Sequence, residues 1–413
     1  MIPEAEILLI CARVSLTPER RTRLDELLAQ SPDWRRLIGL AERHGLLPLL
    51  AHHLVASAPA SVPAGFRDEL HGRVSAIVGR NLMMTSELIR VVRRLEAREI
   101  PALPYKGPVL AVAAYGSLAL RSFDDLDLLV PRRHVREAAR LLLEDGYQPV
   151  YRLTPAQEAA YFRTQCEYIV ERDNVRVELH WEIVPPYFSW PFDLEGLWGR
   201  AEPAVLAGAT LRTLSVEDLL LVLCAHGSKH CWDRLEWIAS FAEIVRRSAS
   251  ADWTRVRDGA RRAGASRMLA LSLALVRDLM EVELPPHARE PVERDPTARS
   301  LAHEVGRRIL SGDAGMLDRP REVRFHLRAR ERLRDRTRYV LRLATTQTLG
   351  DWDLVDLPRG VDGLYRVIRP VRLLRKFGLR AISRSLHALS GASRAPDGDP
   401  ARGTGLTPPE GRR

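Results

Sequence analysis

In Phe123-Asp124-Asp125-Leu126-Asp127-Leu128-Leu129-Val130, acids alternate with apolar residues before an unbroken apolar run. Successive side chains of a strand point to opposite faces, so Asp125 and Asp127 share one face while Leu126, Leu128 and Val130 are free to be buried on the other. Two carboxylates beside an apolar strand repel unless a cation sits between them. Hard oxygen donors of this kind suit Mg²⁺, which takes one or two carboxylates and fills its octahedron with water and phosphate oxygens. An isolated Asp-x-Asp also reads as a solvated strand end, so its surroundings decide.

Upstream, residues 100–105 are short, extended and apolar, Lys106-Gly107 is a turn, and 108–115 reads as a helix with proline in its first turn. Strand, turn and helix in this order present backbone N–H groups to phosphates. Gly107 allows close approach and Lys106 adds a point charge. Arg121, four residues before Asp125, is within reach of the same phosphates or of the acids themselves. Downstream, 135–144 is an amphipathic helix closed by Gly146. Segments 168–170 and 175–183 flank turn residues 171–174 as a hairpin. On its second strand Arg176, Glu178 and His180 alternate with Val177 and Leu179. If that strand lies beside the Asp-x-Asp strand, Glu178 joins the pair. Three carboxylates suffice for two metal ions that activate a hydroxyl and stabilise a phosphoryl leaving group.

Outside this core the apolar spacing is helical. The expected architecture is α+β: a small mixed-sheet core at 101–185, embedded between a helical N-terminal region, 1–100, and a helical region, 186–318. A basic helical region, 319–390, and a disordered tail, 391–413, follow. The chain has 413 residues, 46% hydrophobic and 28% charged, which excludes a disordered polymer. Its formal charge of +10 invites a nucleic-acid reading until it is located. From Arg319 onward, 22 basic side chains face 10 acidic ones, so residues 1–318 carry a net −2. Arginine is the default cation; the three lysines are Lys106, Lys229 and Lys376. Cys11, Cys166, Cys224 and Cys231 form no C-x-x-C pair, which predicts reduced thiols and a cytoplasmic protein. No apolar run reaches the ~18–20 residues of a membrane span, and Glu4 and Glu6 are the wrong flank for a signal peptide.

Lys106-Gly107, Tyr115, Arg121 and Asp125-Leu-Asp127-Leu-Leu-Val, followed by Val177-Glu178-Leu179-His180-Trp181, resemble the uncharacterised bacterial branch of the DNA polymerase beta-like nucleotidyltransferase superfamily. Segments 34–50, Asn81, 217–237 and 352–374 share the resemblance. It implies a metal-dependent nucleotidyltransferase in which Asp125 and Asp127 are the metal pair and Glu178 the third acid, with Mg²⁺, as two ions, for cofactor. The partners implied are an NTP and an unidentified acceptor, whether small molecule, peptide or protein. This chain departs from the superfamily pattern in its Lys-Gly turn, where Gly-Gly or Gly-Ser is usual, in the long spacing from that turn to Asp125, and in Glu178 where Asp is commoner. Gly116-Ser117 is a second candidate turn. The departures keep open an alternative: a catalytically degenerate scaffold that binds a partner through its basic C-terminal region.

Nucleotide-binding candidates are Lys106, Gly107, Arg121, His180, Lys229 and Arg234, the last two bordering the cleft. His226 and His230 lie one helical turn apart, near Cys224 and Cys231. On a helix the cysteine pair and the histidine pair diverge by roughly 100°, which argues against one zinc site. The cationic stretch Arg366, Arg369, Arg372, Arg375, Lys376, Arg380 and Arg384 lies opposite Leu364, Val367, Ile368, Val371 and Leu374. It reads as a helix docked by its apolar face with its arginines in water. Peripheral membrane contact through 363–388 is a lesser reading, since Pro370 interrupts it. Nucleic acid is not favoured, because few aromatics accompany the arginines.

Overall fold

The computed structural model describes residues 2–55, 61–248, 250–311, 317–352 and 364–373. Five short strands form one sheet in the order β1-β2-β5-β4-β3: β1 (Leu103–Pro104), β2 (Asp125–Leu129), β3 (Gln148–Pro149), β4 (Glu167–Arg172) and β5 (Val175–His180). β2 and β5 are parallel and the other neighbours antiparallel. β4 and β5 close on Asp173-Asn174, both left-handed (φ 51° and 62°). This is the backbone of a two-residue hairpin turn, which Asp and Asn tolerate better than most residues. The strands therefore run closer to the turn than the sequence pattern suggests, and β5 ends at His180, three residues before the expected limit.

Each face of the sheet has its own partner. Leu126, Leu128, Val170, Val177 and Leu179 are buried against Met84, Leu88, Val91 and Leu95 of the helix Ala64–Glu96 and against Val135, Ala138 and Leu142 of the helix Val135–Glu144. The opposite face carries the acids and looks toward a second, mainly helical core. That core joins Leu103, Tyr105, Leu110 and Leu129 to the helices Val216–Lys229, Leu235–Arg247 and Ser266–Asp278. The acids thus lie on the seam between two hydrophobic cores, where Asp125 and Glu178 keep partial exposure and Asp127 is buried.

The helical expectation for the N-terminal residues is met by four short helices and the helix Ala64–Glu96, about 50 Å long at 1.5 Å per residue. Ser215 accepts from the backbone N–H of Asp218 and so caps the start of Val216–Lys229. Three elements escaped the pattern. The hairpin β6 (Glu202–Leu206) and β7 (Ala209–Thr213) lies within a stretch read as helical, disguised by Pro203 and an Ala-Gly turn. The helix Pro155–Thr164 begins with a capping box between Thr154 and Gln157. In the basic region expected to be helical from residue 319, a break at 329–332 separates two helices, Arg319–Arg328 and Leu333–Thr345.

The helix Tyr365–Leu373 corrects the reading of its cationic face. Arg369 and Arg372 turn inward, each 2.8 Å from a carboxylate oxygen of fully buried Asp351, while Leu364 and Val371 are exposed. Arg375, Lys376, Arg380, Arg384 and the expected disordered tail lie outside the described residues. Among the described residues no helix is long and apolar enough to cross a membrane.

Buried histidines tie distant segments together. His44 Nδ1 accepts from the backbone N–H of Leu235, His53 Nε2 lies 2.8 Å from the carbonyl of Arg13, and His326 bridges Tyr339 and the carbonyl of Lys229. Burial pushes the pKa of His44 and His53 down to about 4 and that of His326 to about 3. The unfolded chain protonates these rings near pH 6.5, so their stabilising effect is intact above that value and is lost as pH falls from 6.5 toward 4. Denaturant unfolding at pH 7 and pH 5 should show wild type losing roughly 2 kcal/mol more than His53→Gln, whose amide keeps the bond to Arg13 without titrating.

Candidate active site

The parallel register of β2 with β5 pairs Asp125 with Arg176, Asp127 with Glu178 and Leu129 with His180. Side chains level with each other on neighbouring strands share a face, so Asp125, Asp127, Glu178 and His180 converge on one side of the sheet. Asp127 is 1% exposed. Its Oδ1 accepts from Lys106 Nζ at 2.7 Å and lies 3.1 Å from His180 Nε2. His180 Nε2 is also 3.3 Å from Glu178 Oε2, and its Nδ1 is 3.4 Å from Glu167 Oε2. Asp127 Oδ2 is buried without a hydrogen-bond partner.

Lys106 reaches Asp127 because of the turn that follows β1. Lys106 is the extended N-cap of the helix Gly107–Tyr115, and Gly107 has φ +52°. A Cβ on Gly107 would lie 3.1 Å from the carbonyl oxygen of Asp125. Left-handed backbone and this close approach both select glycine. Gly116 instead caps the C-terminal end of the same helix, away from the acids. The Lys106-Gly107 turn is therefore the one that faces Asp127, and the first backbone N–H groups of its helix point out of the turn.

The loop between this helix and β2 is clamped from outside. Asn81, buried midway along Ala64–Glu96, donates to the carbonyls of Leu118 and Arg121, both at 2.7 Å. Its neighbour Arg80 binds the carbonyl of Phe123 and the carboxylate of Asp124. Arg121 is held by Glu236, 2.8 Å away, with both side chains nearly buried. It therefore does not pair with Asp125 or Asp127, the structural role weighed for it from sequence.

The charges divide the acids. Burial, then the neighbouring Asp127 and Glu178, raise the pKa of Asp125 to about 7. Burial would raise Asp127 as well, but Lys106 and His180 outweigh it and hold this carboxyl well below its usual range. Lys106 and His180 are both pushed up, against burial, by the acids they face. Such crowding calls for a further cation, and two groups driven apart in pKa within one cluster are a recurrent mark of a functional site.

Lys229 lies beyond this cluster; burial lowers its pKa, but Tyr187, Cys166 and Glu167 raise it overall. His226 and His230 pack against each other at 4.8 Å with tilted rings, and against Trp237 at 5.0 Å edge-on and 5.1 Å tilted. Burial, then Lys106 for His226 and Lys229 for His230, push both down, His230 to about 2. They form no metal cluster with the cysteines. Cys224 accepts from Ser272, and Cys231 lies 3.4 Å from His326. All four cysteines are free and buried. Arg234 is exposed, stacked over Trp237 at 5.9 Å.

Two acids of the site were missed in the sequence. Glu167 pairs with His180 across the hairpin, a register that follows from placing the two-residue turn at Asp173-Asn174. Glu236 had no signal, because its contact with Arg121 spans more than a hundred residues.

The sequence model of a family described as uncharacterised nucleotidyltransferase matches residues 30–281, more than half of the chain. Among solved structures, the antibiotic-resistance factor ANT(2'')-Ia in solution is similar at 14% identity over 44% of this chain and 93% of that chain, with a TM-score of 0.32. No curated protein matches. With its mixed sheet and its Asp-x-Asp strand, this chain belongs to the uncharacterised nucleotidyltransferase family.

Proposed function

We propose that the chain transfers a nucleoside monophosphate from an NTP to the hydroxyl or similar group of an acceptor, with release of pyrophosphate, in a Mg²⁺-dependent reaction. The supporting observation is the register of Asp127 with Glu178, which sets three carboxylates side by side next to the Lys106-Gly107 turn. The donor set fits a hard divalent cation. Asp127 Oδ2 is an orphaned buried acceptor, and Asp125 resists ionisation without further positive charge. Asp125, Asp127 and Glu178 would hold the metal, as two ions. Bound there, Mg²⁺ supplies charge stabilisation at the phosphoryl group and activation of the attacking hydroxyl.

The chain's own residues have distinct tasks. Lys106, bonded to Asp127 in the free protein, is placed to turn toward the triphosphate, and Gly107 admits it close to the helix N-terminus. Arg121, braced by Glu236, adds a second fixed cation. Lys229 and Arg234 extend the positive lining outward. Glu178 takes the acceptor proton or ligates the second ion, and His180, 3.3 Å from it, orients it and touches phosphate.

One observation favours the second reading, a degenerate scaffold. Asp127 Oδ1 is already satisfied by Lys106 and His180, so the cluster is neutralised in part without metal. The readings separate on label. With Mg²⁺ and cell extract, α-phosphate-labelled NTP should transfer label to an acceptor while γ-phosphate label leaves as pyrophosphate, and Asp127→Ala should abolish this. A protein that binds no NTP with Mg²⁺ and loses nothing on Asp127→Ala overturns the proposal.

Stability should move oppositely for the two aspartates. Near pH 8, Asp125→Asn relieves like-charge crowding and raises the melting temperature while removing the upward shift given by NTP with Mg²⁺. Asp127→Asn strands Lys106 and His180 and lowers it. Gly107→Ala imposes a left-handed non-glycine residue and should cost about 1–2 kcal/mol, with weaker NTP binding by titration calorimetry.

A further inference from the structure

We propose that Cys166, Glu167 and His180 form a binding site for a thiophilic divalent cation, Zn²⁺ by its donor chemistry, on the side of His180 away from Asp127 and Glu178. The proposal stands independently of nucleotidyl transfer. Cys166 Sγ lies 3.6 Å from Glu167 Oε2, and that oxygen lies 3.4 Å from His180 Nδ1. Zinc bonds of about 2.3 Å to sulfur and about 2.0 Å to nitrogen and oxygen, in a tetrahedron, require ligand-to-ligand edges of about 3.3–3.5 Å. Two edges of the coordination shell are therefore already set, and the three donor atoms all lie within 4.8 Å of one another.

A second observation points to the same place. His180 Nδ1 is buried without a hydrogen bond, on a side chain only 4% exposed. The nitrogen lies between the Cys166 thiol and the Glu167 carboxylate, and a buried ring nitrogen without a well-formed hydrogen bond is open to a metal. On the other side of the ring, Nε2 faces Asp127 Oδ1 at 3.1 Å. Once Nδ1 gives up its proton, this is the carboxylate–histidine–metal order, in which the carboxylate keeps the remaining proton on Nε2 while Nδ1 ligates.

The backbone holds these donors in place before any ion arrives. The carbonyl of Cys166 accepts from the N–H groups of Trp181 and Glu182 at 2.9 and 3.3 Å. Glu167 sits opposite His180 in the hairpin register. Cys166 is 2% exposed, whereas the Glu167 side chain is 27% exposed, so access and the open fourth position lie on the Glu167 side. The donor set also separates two cations. Sulfur and imidazole select a borderline-soft ion, and the carboxylates beyond Nε2 select a hard one. Loading forms three bonds to the ion and releases two protons to solvent, one from the Cys166 thiol and one from His180 Nδ1.

Cobalt is the probe, because a thiolate ligand gives Co²⁺ a near-ultraviolet charge-transfer band that carboxylate or imidazole ligands do not. The full-length protein should bind one equivalent of Co²⁺ with this band and with the strong visible absorption of a tetrahedral site. Zn²⁺ should bleach both, and excess Mg²⁺ should not. Cys166→Ser should lose the band and weaken Zn²⁺ binding by more than about a hundredfold, while Cys231→Ser keeps both. Absence of the band in folded wild type, or its survival in Cys166→Ser, overturns the proposal. Should Cys166→Ser fail to fold, X-ray absorption of the Zn²⁺-loaded wild type decides: one sulfur neighbour supports the site, and a shell of nitrogen and oxygen alone overturns it.

Discussion

Repulsion among Asp125, Asp127 and Glu178 governs much of what surrounds them. Three carboxylates on adjacent strands, backed by a buried apolar face, persist only if positive charge is delivered to them from elsewhere in the chain. Lys106 comes from the turn after β1 and His180 from the same strand as Glu178. The fold pays for this arrangement with a left-handed glycine and a carboxyl near neutrality. The glycine lets the turn close against the carbonyl of Asp125, and the raised carboxyl records the crowding of like charge.

The central apparatus was legible because its determinants are local. Alternation in Asp125-Leu126-Asp127 and in Arg176 to His180 states which side chains share a face, and Lys106-Gly107 announces a turn ahead of a helix. The adjacency of β2 and β5 was not legible. It depends on the crossover through Val135–Glu144, and no residue of either strand encodes its neighbour. Glu236 escaped for the same reason, being brought to Arg121 by helix packing alone. The direction of the helix Tyr365–Leu373 was misread because a periodic row of arginines looks solvated until a buried acid, Asp351, stands opposite.

Contacts remote from the acids also converge on them. The N–H of Glu236 donates to the carbonyl of His44, and the N–H of Leu235 to the His44 ring. Glu236 then holds Arg121, whose guanidinium lies 3.5 Å from the carbonyl of Gly107. Tyr115, at the far end of the Gly107 helix, meets Ser240 one turn beyond Glu236. His44, at the end of the helix Trp34–Arg43, is therefore part of the support of the Lys106-Gly107 turn.

The helix Ala64–Glu96 behaves as a ruler. Phe66 and Leu70 near its start are fastened in one hydrophobic core, and Met84 to Leu95 near its end in the other. Asn81, between them, grips the loop that leads into the Asp-x-Asp strand. Each residue of an α-helix adds 1.5 Å and about 100° of rotation. One residue gained or lost between Leu70 and Asn81 would swing the amide off the loop unless one of the two cores gave up its grip. The length of that segment is thus metered by the distance between two cores, and apart from Val74, Ile77 and Arg80 its positions are constrained in number more than in identity.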